Sequence, residues 1–367
     1  MPAEPRSRSA FVTGPEDLDA ALVLSALVWM TPRKRIELAD RYGSASAIVA
    51  AIRRGRAGTP ADRDHVARAD PDAIRTALEA TGARTVPIGA SGYPAQLETI
   101  PDPPLLLFVV GPDPPDLTRC VAIVGSRRCS ALGREVAAAL GLGLASVGVS
   151  VVSGAARGID AAAHTGAIEG GGGTVAVLGC GIDRPYPSRA FLDRIRAAGS
   201  LVTEFPPGTP PHPRHFPCRN RIVAGLCRAT VVVEGAEGSG SMITAEHALE
   251  FGREVFAVVG AVTNPLAAVP LRLIRDGAGP IRGVEDLLAD LDLDGATVGG
   301  PALDLADDER RILETLLGPT LPERAAAAVG LSVVEAMPIL MRLELRGLVR
   351  SVGGRYEPTL KAAARAT

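Results

Sequence analysis

Lysine is almost absent from this chain of 367 residues, since it occurs only at Lys34 and Lys361, so arginine carries nearly all of the positive charge. The 39 Lys plus Arg residues nearly balance the 41 Asp plus Glu residues, and the net charge is −2. This balance excludes the basic field over the whole molecule that often marks a nucleic-acid-binding protein. Any site for a polyanion must therefore be local, and arginine would supply that site with forked hydrogen-bond donors.

Paired cysteines and long apolar runs are lacking as well. The five cysteines are odd in number and include no C-x-x-C pair, so neither a disulfide framework nor a zinc site fits. The longest apolar run, at residues 20–30, is far shorter than the roughly 20 residues of a membrane helix, and no signal-peptide pattern opens the chain. We therefore expect a protein of the reducing cytoplasm, without a metal and without membrane contact.

Alternating strand and helix patterns predict an α/β fold in the middle of the chain. Six short, apolar and β-branched runs are separated by segments of helical periodicity, at 121–125, 149–153, 175–178, 201–203, 230–234 and 255–259. Strands joined by helical crossovers form a parallel sheet that is covered by helices on both faces. Ligands bind to such a sheet beyond the carboxyl ends of its strands, where loops and helix N-termini meet.

Helical patterns flank the predicted sheet on both sides. Residues 18–52 show helical spacing of apolar residues, and the charged segment 53–70 follows them. Three helical segments and two strands around a glycine turn occupy 307–356, which is the pattern of a winged helix. The sequence therefore predicts a small helical domain with a linker (1–70), a sheet domain (71–292), a second linker (293–302) and a winged-helix domain (303–367).

The loops after the first two predicted strands combine small residues with arginine. Their candidate anion-binding residues are Gly125, Ser126 and Arg127 after the first strand, and Gly154, Arg157 and Gly158 after the second. Glycine allows close approach, serine and arginine donate hydrogen bonds, and a helix start adds free N–H groups. Either loop alone could be an ordinary strand-to-helix turn, but two such loops favour an anion site. G-x-G-x-x-G and P-loop motifs are absent, so no cofactor is expected.

The segment 205–233 contains four arginines and two histidines but no acidic residue. At its centre, Phe216, Arg219, Asn220 and Arg221 place an aromatic ring beside two arginines and an amide. A single-stranded nucleic acid needs this combination, because cations bind successive phosphates and a flat ring stacks on an unpaired base. The alternative is that Phe216 belongs to the core and that the arginines pair with helix C-termini or with carboxylates elsewhere.

A further anion site is predicted at Ser239, Gly240 and Ser241, which follow the fifth strand and precede a helix. The unpaired N–H groups of a helix N-terminus and the helix dipole attract an anion, and the two hydroxyls add donors. Plain capping of the helix by Ser239 or Ser241 would explain these residues without any ligand.

Five motifs, in this order and spacing, resemble the DNA-processing protein A family (DprA, also called Smf): VAIVGSRR, SGAARGIDAAAH, LGCGID, FPCRNRIVAGL and VVVEGAEGSGSMITAEHALEFGREVFAV. The resemblance implies an extended Rossmann-like sheet, a small SAM- or HhH-like helical domain before it and a winged helix after it. It also implies a homodimer, formed through the Rossmann-like domain, that binds and protects incoming single-stranded DNA and loads the RecA recombinase during natural transformation.

Carried over by position, the resemblance places Arg127, Arg219 and Arg221 on phosphates and Phe216 against a base. The chain also departs from the family pattern. Residues 30–33 read Met-Thr-Pro-Arg where the family often has a Gly-x-Gly hairpin that can approach DNA, so DNA contact by the N-terminal helical domain is not expected. Val259 and Leu271 replace family residues at one rim of the groove.

Two other functions are open on the same fold. Residues 234–244 resemble the helix start of nucleotide-cleaving phosphoribohydrolases, but Thr244 stands where the catalytic carboxylate of those enzymes would be. Glu246 lies about 200° further around the helix and cannot take its place. A nucleotide-sensing module would use the same loops for a single mononucleotide. His164 follows Asp160 by one turn, which predicts an Asp–His contact within a helix rather than catalysis. We therefore expect a binding protein and not an enzyme.

Overall fold

The computed structural model describes residues 11–293, 305–359 and 362. Its helices are α1 (Pro15–Ser25), α2 (Pro32–Tyr42), α3 (Ala45–Arg53), α4 (Pro60–Arg68), α5 (Pro71–Thr81), α6 (Ala95–Glu98), α7 (Ala131–Ser146), α8 (Ile159–Glu169), α9 (Arg189–Ala198), α10 (His215–Leu226), α11 (Gly240–Glu250), α12 (Ala268–Arg275), α13 (Val284–Asp290), α14 (Asp307–Thr315), α15 (Pro322–Val329) and α16 (Val333–Leu345). Its strands are β1 (Arg84–Pro87), β2 (Leu106–Val110), β3 (Cys120–Val124), β4 (Ser150–Ser153), β5 (Thr174–Val177), β6 (Ser200–Thr203), β7 (Ala229–Val232), β8 (Glu254–Val258), β9 (Gly279–Ile281), β10 (Val349–Val352) and β11 (Arg355–Pro358).

Within residues 11–293, nine strands form one sheet in the order β1-β2-β6-β5-β4-β3-β7-β8-β9. The seven strands β3 to β9 are all parallel to one another. At one edge of the sheet, β2 pairs antiparallel with β6, and β1 pairs antiparallel with β2. The six strands predicted from the sequence are β3 to β8, so the predicted Rossmann-like α/β fold is confirmed. The order of connection reverses between β3 and β7, and this reversal opens a crevice at the carboxyl ends of the two strands.

Helices cover both faces of this sheet because successive side chains of a strand point to opposite faces. In β3, Ala122 and Val124 belong to one buried cluster, whereas Val121 and Ile123 belong to the cluster on the other face. On that second face, α7 and α8 pack backbone against backbone, since a side chain at Gly166 would overlap the carbonyl of the α7 residue Ala138. These two helices follow β3 and β4, so their close packing fixes the loops that precede them relative to each other.

The N-terminal helices extend beyond the predicted boundary at residue 70. The charged segment 53–70 contains α4, and Asp70 caps α5 by accepting hydrogen bonds from the backbone N–H groups of Asp72 and Ala73. Helix α5 then contacts α1. Leu22 of α1 and Phe108 of β2 lie in one continuous hydrophobic cluster, so the helical unit packs directly on the sheet. The domain boundaries read from composition therefore stay a prediction, because packing links the two units.

The C-terminal unit contains α14, α15, α16 and the antiparallel hairpin β10–β11, which are the predicted three helices and strand pair. Its own core includes Ile312, Leu340 and Leu343. Its assignment as a winged helix stays a prediction, and the predicted linker 293–302 lies, apart from Leu293, outside the described residues. In the described part of the chain, no single helix is long and apolar enough to cross a membrane; α15 and α16 reach that length only as a pair bent by 106°.

His164 is buried in α8, and its environment differs from the expected one. Its Nδ1 lies 2.7 Å from the hydroxyl oxygen of Thr174, and that hydroxyl donates to the carbonyl of Val151 at 2.9 Å. The histidine therefore donates to Thr174. The predicted Asp160–His164 contact is wrong, because the Asp160 carboxylate accepts instead from the backbone N–H groups of Gly154 and Ala156.

Burial, assisted by the positive charge of Arg219, lowers the pKa of His164 from 6.5 to about 3. Between pH 6.5 and about pH 3, His164 binds a proton in the unfolded chain but not in the folded protein. The free energy of unfolding is therefore unaffected by this group above pH 6.5. It falls as the pH drops below 6.5, by at most about 1.4 kcal/mol per pH unit. Urea unfolding at pH 7 and pH 5 measures this loss. We expect His164→Gln to show a smaller loss than the unaltered protein, and equal losses would contradict the assignment.

Candidate functional site

A cleft of about 630 Å³ opens at the crevice between β3 and β7, and we call it the switch-point cleft. Ten of the residues predicted from the sequence line this cleft: Gly125, Ser126, Arg127, Gly154, Phe216, Arg219, Asn220, Ser239, Gly240 and Ser241. They come from the loops after β3, β4 and β7 and from α10. The carboxyl ends of parallel strands thus gather segments that are more than 100 residues apart in sequence.

The loop after β3 is held on two sides by backbone hydrogen bonds. The N–H of Ser126 donates to the carbonyl of Glu234 at 2.7 Å, and the N–H of Ile159 donates to the carbonyl of Ser126 at 3.2 Å. The Glu234 carboxylate accepts from the Ser130 hydroxyl at 2.6 Å and from the Ser130 N–H at 2.8 Å. The loop is therefore fixed in advance of any ligand, while Arg127 remains exposed.

Two of the predicted glycines serve the packing of these loops. Gly158 has a φ of +85°, and a Cβ at this position would overlap the carbonyl of Ser126. A Cβ at Gly125 would lie 2.8 Å from the carbonyl of Glu234. Gly158 does not line the cleft, and neither does the exposed Arg157, so the structure does not bring these two residues to the site. A role of Arg157 in binding stays a prediction.

Phe216 lies half-buried in the wall of the cleft rather than in the core. The ring packs close to Gly179, where a Cβ would lie 2.8 Å from it, and its centroid lies 5.3 Å from that of Tyr186. The guanidinium carbon of Arg127 lies over the ring at 4.9 Å from its centroid. The two rings are tilted by 44° to each other, and with the cation they provide aromatic faces of the kind on which bases stack.

Tyr186 and Glu234 are site residues that the sequence analysis missed. Tyr186 lies beyond the third predicted strand and belongs to none of the glycine or arginine motifs. Its one signal is scarcity, because aromatic residues make up only 3% of the chain. Glu234 ends a predicted strand and lies in the last of the five motifs, but neither pattern predicts its role, because its partner Ser130 lies 104 positions away.

Arg219 forms part of the cleft floor, although its side chain is only 3% exposed. Its Nη1 donates to the carbonyl of Val177, and its guanidinium lies directly against Gly154, where any side chain would overlap it. Burial lowers the pKa of Arg219 to about 10, with Asp160 acting in the opposite direction. Arg219 therefore remains charged at neutral pH, next to a buried carboxyl whose own pKa is raised by burial.

The prediction that Arg221 binds a phosphate is wrong. Its side chain is 2% exposed, and its two terminal nitrogens donate to the two carboxylate oxygens of Glu204 at 2.6 and 2.9 Å. Its Nε donates to the carbonyl of Asp102 at 3.0 Å. Two positions along a helix differ by about 200°, so Arg219 and Arg221 lie on opposite sides of α10. The alternative of pairing with a carboxylate holds for Arg221.

The start of α11 forms the third side of the cleft. The Ser239 hydroxyl accepts from the Ser241 N–H at 3.4 Å, and the two hydroxyl oxygens lie 2.9 Å apart, so the capping alternative is present. Both serines nevertheless line the cleft. The Asn220 side chain donates to the carbonyl of Gly240 at 3.2 Å and so links α10 to α11.

The charges around the switch-point cleft favour an anion. Arg127 and Arg128 are exposed along one wall, and Arg219 lies beneath them. The N-terminal end of α11 adds partial positive charge. The acidic residues in the lining are Asp160, which is buried beside Arg219, and Glu237, which is exposed. The arrangement can bind several phosphate groups or one phosphate together with a flat ring.

The position required for a phosphoribohydrolase-like reaction holds Thr244, which lines the cleft and is buried. Glu246 is exposed and is not part of the cleft lining. A threonine hydroxyl does not act as an acid or base near neutral pH. The geometry therefore supports binding of a phosphorylated ligand rather than its cleavage by that route.

Comparison with known proteins finds similarity over the sheet domain that contains the switch-point cleft. The family model described as DNA recombination-mediator protein A matches residues 84–292, which begin at β1 and end just after α13. The DNA processing protein DprA of Bacillus subtilis is 40% identical over 225 residues, covering 59% of this chain and 74% of that protein. The putative DNA processing protein DprA of Mycobacterium tuberculosis is 39% identical over 317 residues, covering 83% of this chain and 77% of that protein.

Two solved structures share the fold. DprA from Streptococcus pneumoniae aligns with a TM-score of 0.65 and 32% identity, over 76% of this chain and 99% of that chain. DprA from Helicobacter pylori, solved to explain its single-stranded DNA binding mode, aligns with a TM-score of 0.52 and 25% identity, over 58% of this chain and 96% of that chain.

Proposed function

Because this chain belongs to the DNA recombination-mediator protein A family, we propose that its switch-point cleft binds single-stranded DNA and that the protein loads the RecA recombinase onto that DNA during natural transformation. The observation that carries the proposal is the aromatic pair Tyr186–Phe216 beside Arg127, at the point where two helix-start loops converge. Phosphates alone would need only the cations and the helix start. The ring surface of this pair, which a base would reach by displacing the Arg127 guanidinium, supports a ligand that also presents unpaired bases.

Arg127 changes partners in this proposal. In the free protein the Arg127 guanidinium covers the Phe216 ring. This cation–π contact holds the long Arg127 side chain over the cleft. An incoming base takes the place of the guanidinium on the ring, and Arg127 then donates to the adjacent phosphate. Arg128 binds a neighbouring phosphate, and Ser239 and Ser241 hold another at the start of α11.

The size of the cleft does not by itself distinguish a polymer from a mononucleotide, because small-molecule sites span about 300–1,000 Å³. One feature favours the polymer. Arg127 and Arg128 are exposed at the side of the cleft, where a second phosphate of a continuous strand would pass.

The wider proposal includes a homodimer and a cytoplasmic location. A dimer through the Rossmann-like domain would join two switch-point clefts, and the second cleft would then capture its stretch of DNA at high effective concentration. The five cysteines are unpaired, and Cys120, Cys180 and Cys227 are buried, which fits a reducing compartment. RecA would be delivered to DNA held in these clefts.

The C-terminal unit fits a protein contact or a regulatory role better than binding of duplex DNA. Arg342 of α16 and Arg346, which follows that helix directly, are both paired with Glu309, at 3.1 and 2.6 Å. Arg342 also contacts Asp308 at 3.2 Å. These arginines already have acidic partners, whereas a helix that reads the major groove needs cations available for phosphates.

The ligand is tested by binding of a fluorescent dT oligonucleotide, the matching duplex and mononucleotides at several salt concentrations. We expect preference for the dT oligonucleotide. Preference for mononucleotides would favour the nucleotide-sensing alternative instead. Loading is tested by the rate of RecA filament formation on DNA coated with single-strand-binding protein, which the protein should increase.

In the same assay, Arg127→Ala should weaken binding of every single-stranded sequence about tenfold, because a charge-assisted contact is lost. The slope of log affinity against log salt should become shallower by about 0.7, which is the value for one phosphate contact to a single strand. Arg134→Ala is the matched control, since Arg134 is exposed on α7 and does not line the cleft. An unchanged slope for Arg127→Ala would contradict the phosphate contact.

A further inference from the structure

A second cleft, of about 430 Å³, lies between the N-terminal helices and the sheet domain. Its walls are residues 28–32, from the turn between α1 and α2, and residues of the segment 204–218, which runs from the end of β6 into α10. The N-termini of α2 and α10 both open onto it. We call it the Trp29 cleft after its largest exposed side chain.

Trp29 is an exposed aromatic residue held in a fixed position. Its side chain is 53% exposed, yet its Nε1 donates to the Asp62 carboxylate at 2.7 Å. Asp62 is itself fixed by hydrogen bonds from Thr59, and the indole lies nearly perpendicular to the His65 ring, with the two ring centroids 5.1 Å apart. A large apolar ring on the surface costs solvation free energy, and here the ring is also held rigidly, as in a stacking platform.

The two clefts share a wall at the start of α10. Pro213, Phe216 and Pro217 line the switch-point cleft, whereas His212, Arg214, His215 and Cys218 line the Trp29 cleft. A strand that leaves the Phe216 ring and crosses this wall would enter the cleft that holds the indole of Trp29.

The charges of the Trp29 cleft are complementary to those of a polyanion. His212 and Arg214 are exposed along the shared wall. Among the residues that the structure describes, no ion pair is found for Arg214 within 4.0 Å. The one carboxylate in the lining, Glu204, is bound by both terminal nitrogens of Arg221 and is 4% exposed. A phosphate at Arg214 would therefore meet no free acidic group there.

We propose that the Trp29 cleft is a second nucleobase site, in which a base of the strand that leaves the switch-point cleft stacks on Trp29 while Arg214 binds a phosphate of the same strand. This inference rests on the proposed function and extends it, because it assigns the helical N-terminal unit a direct part in holding DNA. The contact uses Trp29, in the turn before α2, and so departs from the expectation, drawn from residues 30–33, that the N-terminal helical domain does not contact DNA. It predicts a longer binding site than the switch-point cleft alone provides.

Trp29 is the only tryptophan of the chain, so its fluorescence reports on this cleft selectively. The experiment adds unlabelled dT oligonucleotides of about 4 and about 16 nucleotides to the full-length protein, and measures total binding in parallel by anisotropy of labelled oligonucleotides. We expect the longer oligonucleotide to quench Trp29 in step with binding. The shorter one should saturate the switch-point cleft with little quenching.

Variants separate contact from an indirect response. Arg214→Ala should weaken binding of the longer oligonucleotide about fivefold, make its salt slope shallower by about 0.7 and reduce the quenching, with no effect on the shorter one. Trp29→Ala should weaken the longer oligonucleotide about tenfold. Arg33→Ala is the matched control, because Arg33 is 89% exposed beside the cleft and does not line it.

The outcomes distinguish this inference from the function on which it rests. Absence of any anisotropy change with dT would overturn both. Normal anisotropy without quenching by the longer oligonucleotide would overturn the second site alone. Equal quenching by the shorter oligonucleotide as it saturates the first cleft would also overturn it, because Trp29 would then report the filling of that cleft and not a stacked base.

Discussion

Replacing Arg221 with alanine is expected to lower the free energy of unfolding by about 3–5 kcal/mol, because a buried carboxylate would lose its partner. Both side chains of the Arg221–Glu204 pair are almost fully buried, at 2% and 4% exposure. The Arg221 guanidinium outweighs the effect of burial and holds the pKa of Glu204 below its usual value. The pair therefore stabilises the fold at the junction of β6, α10 and the N-terminal helices.

A second cation, Arg35, lies near Glu204 and would remain in the Arg221→Ala variant. Arg35 of α2 is half-buried near Glu204, and its Nη2 donates to the carbonyl of Leu27 at 2.9 Å. Arg35 contributes to the lowered pKa of Glu204 but forms no hydrogen bond to it among those found in the described residues. Removal of Arg221 thus leaves Glu204 without the donors to both of its oxygens.

Urea unfolding of Arg221→Ala measures this loss, with Arg128→Ala as the control for removal of an exposed arginine. The double variant Arg221→Met with Glu204→Gln should recover much of the stability, because it removes the two charges of the fully buried pair together. Its binding of dT should be close to that of the unaltered protein. If Arg221→Ala instead unfolded at the usual urea concentration and lost DNA binding, the role of Arg221 in holding phosphate would be restored.

Arg219 and Arg221 show where prediction from sequence stops. Both were assigned to phosphate because they lie in a segment without acidic residues. The following residues, Ile222 to Leu226, are all buried, so no apolar stripe reveals which side of α10 faces the sheet. The partner that decides the role of Arg221 is Glu204, which lies at the end of another strand. Such a pairing is a property of the tertiary structure and leaves no local pattern.

The sheet and its loops could be predicted because they depend on local composition and on a general rule of topology. Six β-branched runs were each located to within two residues of the strands β3 to β8. Parallel strands bring their carboxyl ends to one edge, so Arg127, Phe216 and Ser239 were expected to meet, and all three line one cleft. Trp29 and Tyr186 escaped prediction because each is a single aromatic residue whose neighbours in space come from other elements.

Phe216→Ala is expected to weaken single-stranded DNA binding by about 1–3 kcal/mol, which corresponds to roughly fivefold to 150-fold, because one base loses its stacking surface. The salt slope should stay unchanged, since no phosphate contact is removed. The variant also releases Arg127 from the ring, and this limits the loss by making the guanidinium available to phosphate. Phe216→Leu should behave like the alanine variant if the flat face matters, and like the unaltered protein if apolar volume alone does.

The structure also provides a control for the general cost of deleting a half-buried phenylalanine. Phe191 of α9 is half-buried as well and does not line the switch-point cleft. We expect Phe191→Ala to lower thermal stability without changing the affinity for dT, whereas Phe216→Ala should change affinity more than stability. Calorimetry and anisotropy on both variants make the comparison. An equal loss of affinity in both would show that Phe216 acts through folding, and base stacking would then have to be sought on Tyr186 alone.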